Sequence, residues 1–142
     1  MPIQMKINKD LIISDTNKTL SDIATYKDVY STNEFKTNMV WEDGKPIYRK
    51  ILTKGVSSNG EVLIGYPSNL DTLISFDAYA IDSQGGLMPA PAVEISYTSG
   101  NSYGSVKAIG KNSSWEPNKF YFVGFKQYVS VRIIVLYTKT TD

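Results

Sequence analysis

Turn signals cut this sequence at short, regular intervals, and that spacing restricts the fold more than any other feature. Ser57-Ser58-Asn59-Gly60, Tyr66-Pro67-Ser68-Asn69, Gln84-Gly85-Gly86, Ser99-Gly100-Asn101 and Lys111-Asn112-Ser113-Ser114 each combine residues that tolerate or favour a bent backbone. The runs between them are rich in Val, Ile, Leu, Phe and Tyr. They place candidate strands at 47–54, 61–65, 72–82, 92–98, 103–109, 119–126 and 129–139. No segment sustains a helical period beyond about two turns. The expectation is an all-β fold, an antiparallel β-sandwich of jelly-roll-like type.

One decapeptide shows how such a boundary works. Trp41-Glu42-Asp43-Gly44-Lys45-Pro46-Ile47-Tyr48-Arg49-Lys50 begins as a hairpin corner, because Asp43-Gly44 accepts positive φ. It ends as a strand, because Pro46 has no N–H to donate and belongs at a strand start or edge. Trp41 is expected in the core just ahead of the corner. The last strand is unusual in the other direction. Val129, Val131, Ile133, Val135 and Tyr137 form one apolar face, and the opposite face turns apolar at Ile134 and Leu136. A strand buried on one side alone carries polar residues on the other. This strand is therefore either central in the domain or covered on its second face by another subunit. The stretch 120–125 is apolar on both faces in the same way, which favours an oligomer.

Residues 1–28 differ from the rest. Met5, Ile7, Leu11, Ile12 and Ile13 fit short strands, Asp15-Thr16-Asn17 is a turn, and Thr19 with Asp22 is a variant capping box that would open a helical turn over 20–24. The segment is too small to bury a core, and reads as a connector into a domain spanning 29–142.

Composition removes whole classes of chemistry. The 142 residues contain no Cys and no His. Thiol nucleophiles, disulfides, imidazole acid–base catalysis and zinc-finger-type metal sites are excluded. With 15 basic and 14 acidic residues the net charge is +1, so no global field draws the chain to nucleic acid or to an anionic membrane. No apolar run approaches the roughly 20 residues of a membrane-spanning helix. Met1-Pro2-Ile3-Gln4-Met5-Lys6 lacks the long apolar region of a secretory signal.

The carboxylates Asp71, Asp77, Asp82, Glu94 and Glu116 are the candidates for a glycosidase pair. Asp77 alternates with apolar residues in Ser75-Phe76-Asp77-Ala78-Tyr79 and most simply faces solvent. No Asp-x-Asp-x-Asp run offers a calcium loop. The expectation is therefore no enzyme, no metal and no cofactor. The aromatic residues give a better signal. Tyr66, Tyr97, Tyr103 and Trp115 lie in or beside polar loops, with Asn101 and Asn112 close by. An amphipathic ring flanked by neutral amides holds sugars by stacking and hydrogen bonds at low entropic cost. These six residues are the candidate ligand-binding set.

Three stretches together carry a resemblance. Tyr30-Ser31-Thr32-Asn33-Glu34 is followed by the decapeptide 41–50, and the chain ends in Leu136-Tyr137-Thr138-Lys139-Thr140-Thr141-Asp142. In order and spacing this resembles the C-terminal tip domains of tail-fibre or receptor-binding proteins of phages and prophages of Gram-positive bacteria. The resemblance covers the two ends of 29–142, while the middle, about 55–128, matches no motif. It implies a homotrimeric tip joined to an upstream fibre segment, located on a virion or phage-tail-like particle and made in the host cytoplasm. It also implies non-catalytic recognition of a bacterial cell-surface polysaccharide or teichoic acid, without nucleic acid or membrane insertion. The matched stretches would be scaffold and the unmatched middle would hold the contact loops. The rival readings are a purely structural trimerisation or capping module and a polysaccharide-degrading enzyme.

Overall fold

The computed structural model describes residues 27–90 and 104–141, together with the backbone of two short strands, β1 (Ile12–Ile13) and β2 (Lys18–Thr19), which pair antiparallel. The other strands are β3 (Phe35–Val40), β4 (Pro46–Gly55), β5 (Val62–Gly65), β6 (Leu70–Ile81), β7 (Leu87–Pro89), β8 (Ser105–Ile109), β9 (Lys119–Val123) and β10 (Ser130–Lys139). Among the described residues there is no helix. The expected 92–98 strand, the 15–17 turn and the 20–24 helical turn lie outside the described residues.

The strands form two antiparallel sheets. One has the order β3-β4-β10-β6-β7, the other β5-β9-β8. β10 lies at the centre of its sheet, between β4 and β6, and pairs along almost its whole length with both. Registry sorts its side chains. Val131, Ile133, Val135 and Tyr137 are fully buried and share a face with Tyr48 and Leu52 of β4 and with Phe76, Ala78 and Ala80 of β6. On the three-stranded sheet Val62, Ile64, Val106, Phe120 and Phe122 are buried. These residues form one hydrophobic core across both sheets, with the Phe76 and Phe120 rings edge-to-face at 5.2 Å. The two inner faces therefore meet as layers, each strand giving alternate side chains to the interior.

The boundaries follow local chemistry. The Asp43-Gly44 corner forms as expected, with Gly44 at φ +84°, Gly44 N–H donating to the Trp41 carbonyl at 2.9 Å and Lys45 N–H to Asp43 Oδ1 at 3.0 Å. Trp41 itself is half-buried and stands outside the core cluster, because it belongs to the corner, its N–H donating to the Lys45 carbonyl at 2.9 Å. β9 stops at Val123, short of the expected 126, since Gly124 adopts φ +85° and turns the chain. β3 and β7 had no sequence signal. Both are edge strands without a regular apolar–polar alternation: β3 leaves Met39 and Val40 exposed, and β7 is three residues long, leaves Leu87 and Met88 exposed and ends in Pro89.

The three stretches that carry the family resemblance, far apart in sequence, meet in space. The Tyr137 hydroxyl donates to Glu34 Oε2 at 2.5 Å and Lys139 Nζ donates to Glu34 Oε1 at 2.8 Å. Lys139 also lies 4.7 Å from the centre of the Tyr48 ring, which stacks on Tyr137 at 6.0 Å. Ile51 N–H donates to the Ser31 carbonyl at 2.9 Å. The motif residues are thus coupled parts of one corner of the five-stranded sheet.

Candidate functional site

Among the described residues two surfaces combine aromatic and polar groups, one on the outer side of each sheet.

The first is built on β9 and the turn before it. Tyr121 lies between Phe120 and Phe122, so it points outward when they point in. Its hydroxyl donates to Glu61 Oε1 at 2.9 Å, which fixes the ring. Trp115 stands edge-on against it, centroids 5.0 Å apart and planes at 83°, and remains 52% exposed. The turn carrying Trp115 is locked by Ser113, whose Oγ accepts from Trp115 N–H at 3.1 Å and donates to the Trp115 carbonyl at 2.8 Å. Beyond it, Glu116 and Asn118 adopt φ +45° and +58°. Asn tolerates that region, but for Glu it is uncommon and costs energy. The Glu116 carboxylate is held by Lys119. Asn112 is exposed in the same turn. The result is an aromatic ledge, with the exposed Asn112 in the turn leading to it.

Of the six residues picked from sequence, Trp115 stands on this ledge and Asn112 is exposed in the turn leading to it. Tyr66 stands apart: it is half-buried, its ring lies 4.7 Å from that of Phe120, and burial pushes its phenol pKa up. It serves the rim of the core. Tyr97, Asn101 and Tyr103 lie outside the described residues.

The second surface was not legible as a site in the sequence. It is a groove of about 430 Å³ on the outer face of the five-stranded sheet, floored by Ile134 and Leu136 of β10. Registry sets Arg49 and Ser75 on either side of Leu136, and Ile51 and Asp77 on either side of Ile134. The walls are therefore two strand spacings apart, roughly 10 Å. Tyr79 continues the β6 wall and Tyr30 closes the β4 side. In β6 a register shift beyond Ser75 makes Ile74 an extra residue at the groove's end.

Arg49 is the unusual member. It is 5% exposed. Its Nη2 donates to Asp28 Oδ1 at 2.5 Å and to the Val29 carbonyl at 2.6 Å, and its guanidinium carbon lies 3.8 Å from the centre of the Tyr30 ring. A buried guanidinium needs such compensation. Yet among the described residues its Nε has no hydrogen-bond partner. Such an orphaned buried donor costs about 1–3 kcal/mol. Across the groove, Asp77 is exposed and forms no ion pair among the described residues.

Two further candidate carboxylates, Asp71 and Asp82, are occupied in structural work. Asp71 pairs with Lys45 at 2.5 Å, and Asp82 accepts from the N–H groups of Gln84 and Gly86 in the β6–β7 turn. Glu94 lies outside the described residues. Among the described residues no group of three or more Asp or Glu is placed to hold a metal ion.

Comparison with family models, with curated proteins and with solved structures finds no match.

Proposed function

We propose that this chain is a non-catalytic receptor-binding tip domain of a phage tail fibre or a phage-tail-like particle, and that it recognises a bacterial cell-surface glycan. The observation that carries this reading is Trp115: a half-exposed indole, braced edge-on by Tyr121 and held in a turn with strained backbone. A large apolar residue costs free energy when left in water, and strained turns persist where the surrounding structure holds them for a purpose. A fixed ring stacks on the apolar face of a sugar, and neutral amides bond its hydroxyls.

The coupled corner formed by Glu34, Tyr48, Tyr137 and Lys139 supports the tail-fibre resemblance, because it gives the matching stretches a shared structural reason to occur together. The chain path supports the jelly-roll-like topology. β4 pairs with β10 in one sheet and β5 with β9 in the other, so a folded ribbon crosses between the layers. The tip is proposed to act as a homotrimer, in which three weak sites gain avidity.

The test is binding of the wild-type chain to immobilised cell-wall polysaccharide and teichoic acid from Gram-positive bacteria, beside Trp115→Ala. Binding by the wild type and its loss in the variant, with unchanged melting, is the expected result. Equal binding by both sinks the ledge as the site. No binding by the wild type assigns the chain to the structural capping role, and loss of polymer viscosity on incubation would make it an enzyme.

A further inference from the structure

The Trp115 ledge is supported from a distant part of the chain. Trp115 stands against Tyr121, and the Tyr121 hydroxyl donates to Glu61, 60 residues away in sequence, at 2.9 Å. We infer that Glu61 is the positioning residue of the ledge: from the turn between β4 and β5 it holds the Tyr121 ring, so that Trp115 meets its ligand already ordered. That role rests on the ledge being the binding site, whereas the clamp itself does not.

Both oxygens of the Glu61 carboxylate are engaged, and by different partners. Oε1 accepts from Tyr121, and Oε2 accepts from Asn59 Nδ2 at 3.2 Å. Two acceptors aimed at two separate donors restrict the rotamers of a side chain that would otherwise move freely in water.

The far end of the clamp is itself anchored. Asn59 Oδ1 accepts from Glu61 N–H at 3.1 Å, so the Asn59 amide bonds both the backbone and the side chain of Glu61. Ser57 Oγ donates to the Glu61 carbonyl at 2.6 Å, and Gly60 N–H donates to the Ser57 carbonyl at 2.9 Å. The Gly60 carbonyl accepts from the N–H of Phe125, a buried core residue, at 3.1 Å. A continuous path of hydrogen bonds therefore runs from the core, through the 57–61 turn and Glu61, to the ring that braces Trp115.

Folding has little need of this arrangement. Glu61 is exposed and forms no ion pair among the described residues. Water satisfies a surface carboxylate and a surface phenol nearly as well as they satisfy each other, so the bond adds little stability. What it fixes is orientation. Trp115 meets the Tyr121 ring edge-on, with planes at 83°, and that contact depends on where the ring stands. A surface ordered beforehand loses less side-chain entropy when a ligand arrives.

The experiment compares the wild type with Glu61→Ala, Glu61→Gln, Tyr121→Phe and the double variant Glu61→Ala/Tyr121→Phe. The chain has two tryptophans, so the Trp115 indole N–H signal is assigned in NMR spectra by its absence from Trp115→Ala. Its nitrogen relaxation reads the order of the ring with no ligand present. Glu61→Ala and Tyr121→Phe are each expected to lower that order. The double variant is expected to lower it no further, since both changes remove the same bond. Glu61→Gln keeps an acceptor oxygen for Tyr121 and is expected to restore wild-type order. Melting is expected to stay unchanged. Binding to immobilised cell-wall polysaccharide from Gram-positive bacteria is expected to weaken about two- to tenfold in Glu61→Ala and Tyr121→Phe, and to recover in Glu61→Gln.

An indole equally ordered in the wild type and Glu61→Ala overturns the clamp and leaves the ledge standing as the site. Additive losses of order in the double variant overturn it as well. A fall in melting temperature that accounts for the lost order makes Glu61 a structural residue and overturns the positioning role, as does lost order with undiminished binding. Absence of wild-type binding, with the indole responding as expected, removes the ledge reading and the positioning role together while the clamp remains.

Discussion

The hydrogen bond between Tyr137 and Glu34 allows a quantitative test of how the sheet corner is held. The Tyr137 side chain is fully buried, whereas that of Glu34 remains 33% exposed. The two partners should therefore respond unequally to deletion. Glu34→Ala leaves a buried phenol without its acceptor, at a cost of about 2 kcal/mol. Tyr137→Phe removes the buried donor itself and leaves a carboxylate that water and Lys139 still satisfy, at a cost of about 1 kcal/mol. In the double variant the orphaned hydroxyl is gone, so destabilisation should fall about 1 kcal/mol short of the sum. Urea unfolding monitored by circular dichroism measures all three. For a chain of this length Glu34→Ala should lower Tm by about 4–8 °C. Strict additivity, or a larger cost for Tyr137→Phe than for Glu34→Ala, would refute the reasoning.

Three further outcomes are expected. Burial raises the Glu34 carboxyl pKa, but hydrogen bonds from Lys139 and Tyr137 and the charges of Lys139 and Lys50 outweigh it, and the net value lies below the ordinary 4.5. A depressed folded-state pKa gives stability that is present above pH 4.5 and is lost as pH falls through the folded value, so Glu34→Gln should flatten the acid limb of a stability–pH curve. Gly44 and Gly60 both have φ near +80°, at +84° and +79°, but a Cβ meets nothing within 4 Å at Gly44 and sits 2.7 Å from the Lys126 backbone nitrogen at Gly60. Gly44→Ala should cost about 1 kcal/mol and Gly60→Ala clearly more in urea melts; equal costs would discount the clash. Light scattering should give three times the 15.8 kDa of one chain, and a monomer at micromolar concentration would argue against the trimer.

Much of the strand pattern was readable in advance because it depends on neighbours in sequence. The runs 47–54, 61–65, 72–82, 103–109 and 129–139 became β4, β5, β6, β8 and β10 with shifts of a few residues at their ends. β3 was missed because an edge strand such as Phe-Lys-Thr-Asn-Met-Val is defined by its partner, and its buried hydroxyl, Thr37, finds its acceptor across the sheet in the Ile47 carbonyl at 2.7 Å. The ledge was half legible. Trp115 and Asn112 stood out as an aromatic and an amide in a polar turn, whereas the bracing Tyr121 looked like part of an apolar strand. The groove was not legible at all. Its only sequence trace was the alternation Ser75, Asp77, Tyr79, which reads equally well as an ordinary solvated face.

The sequence by itself determined the local events: where the chain turns, which residues alternate, and which chemistry the lack of His and Cys forbids. Turn preference and side-chain alternation act over a few bonds, so composition and spacing carry them. Tertiary structure alone decided which strands became neighbours. Pairing β4 with β10 and β10 with β6 set Arg49, Leu136 and Ser75 in one row, and folding 28–31 along β4 brought Asp28 and Tyr30 onto Arg49. Residues up to about a hundred positions apart met only because strand registry, which depends on the whole core, fixed them at one height.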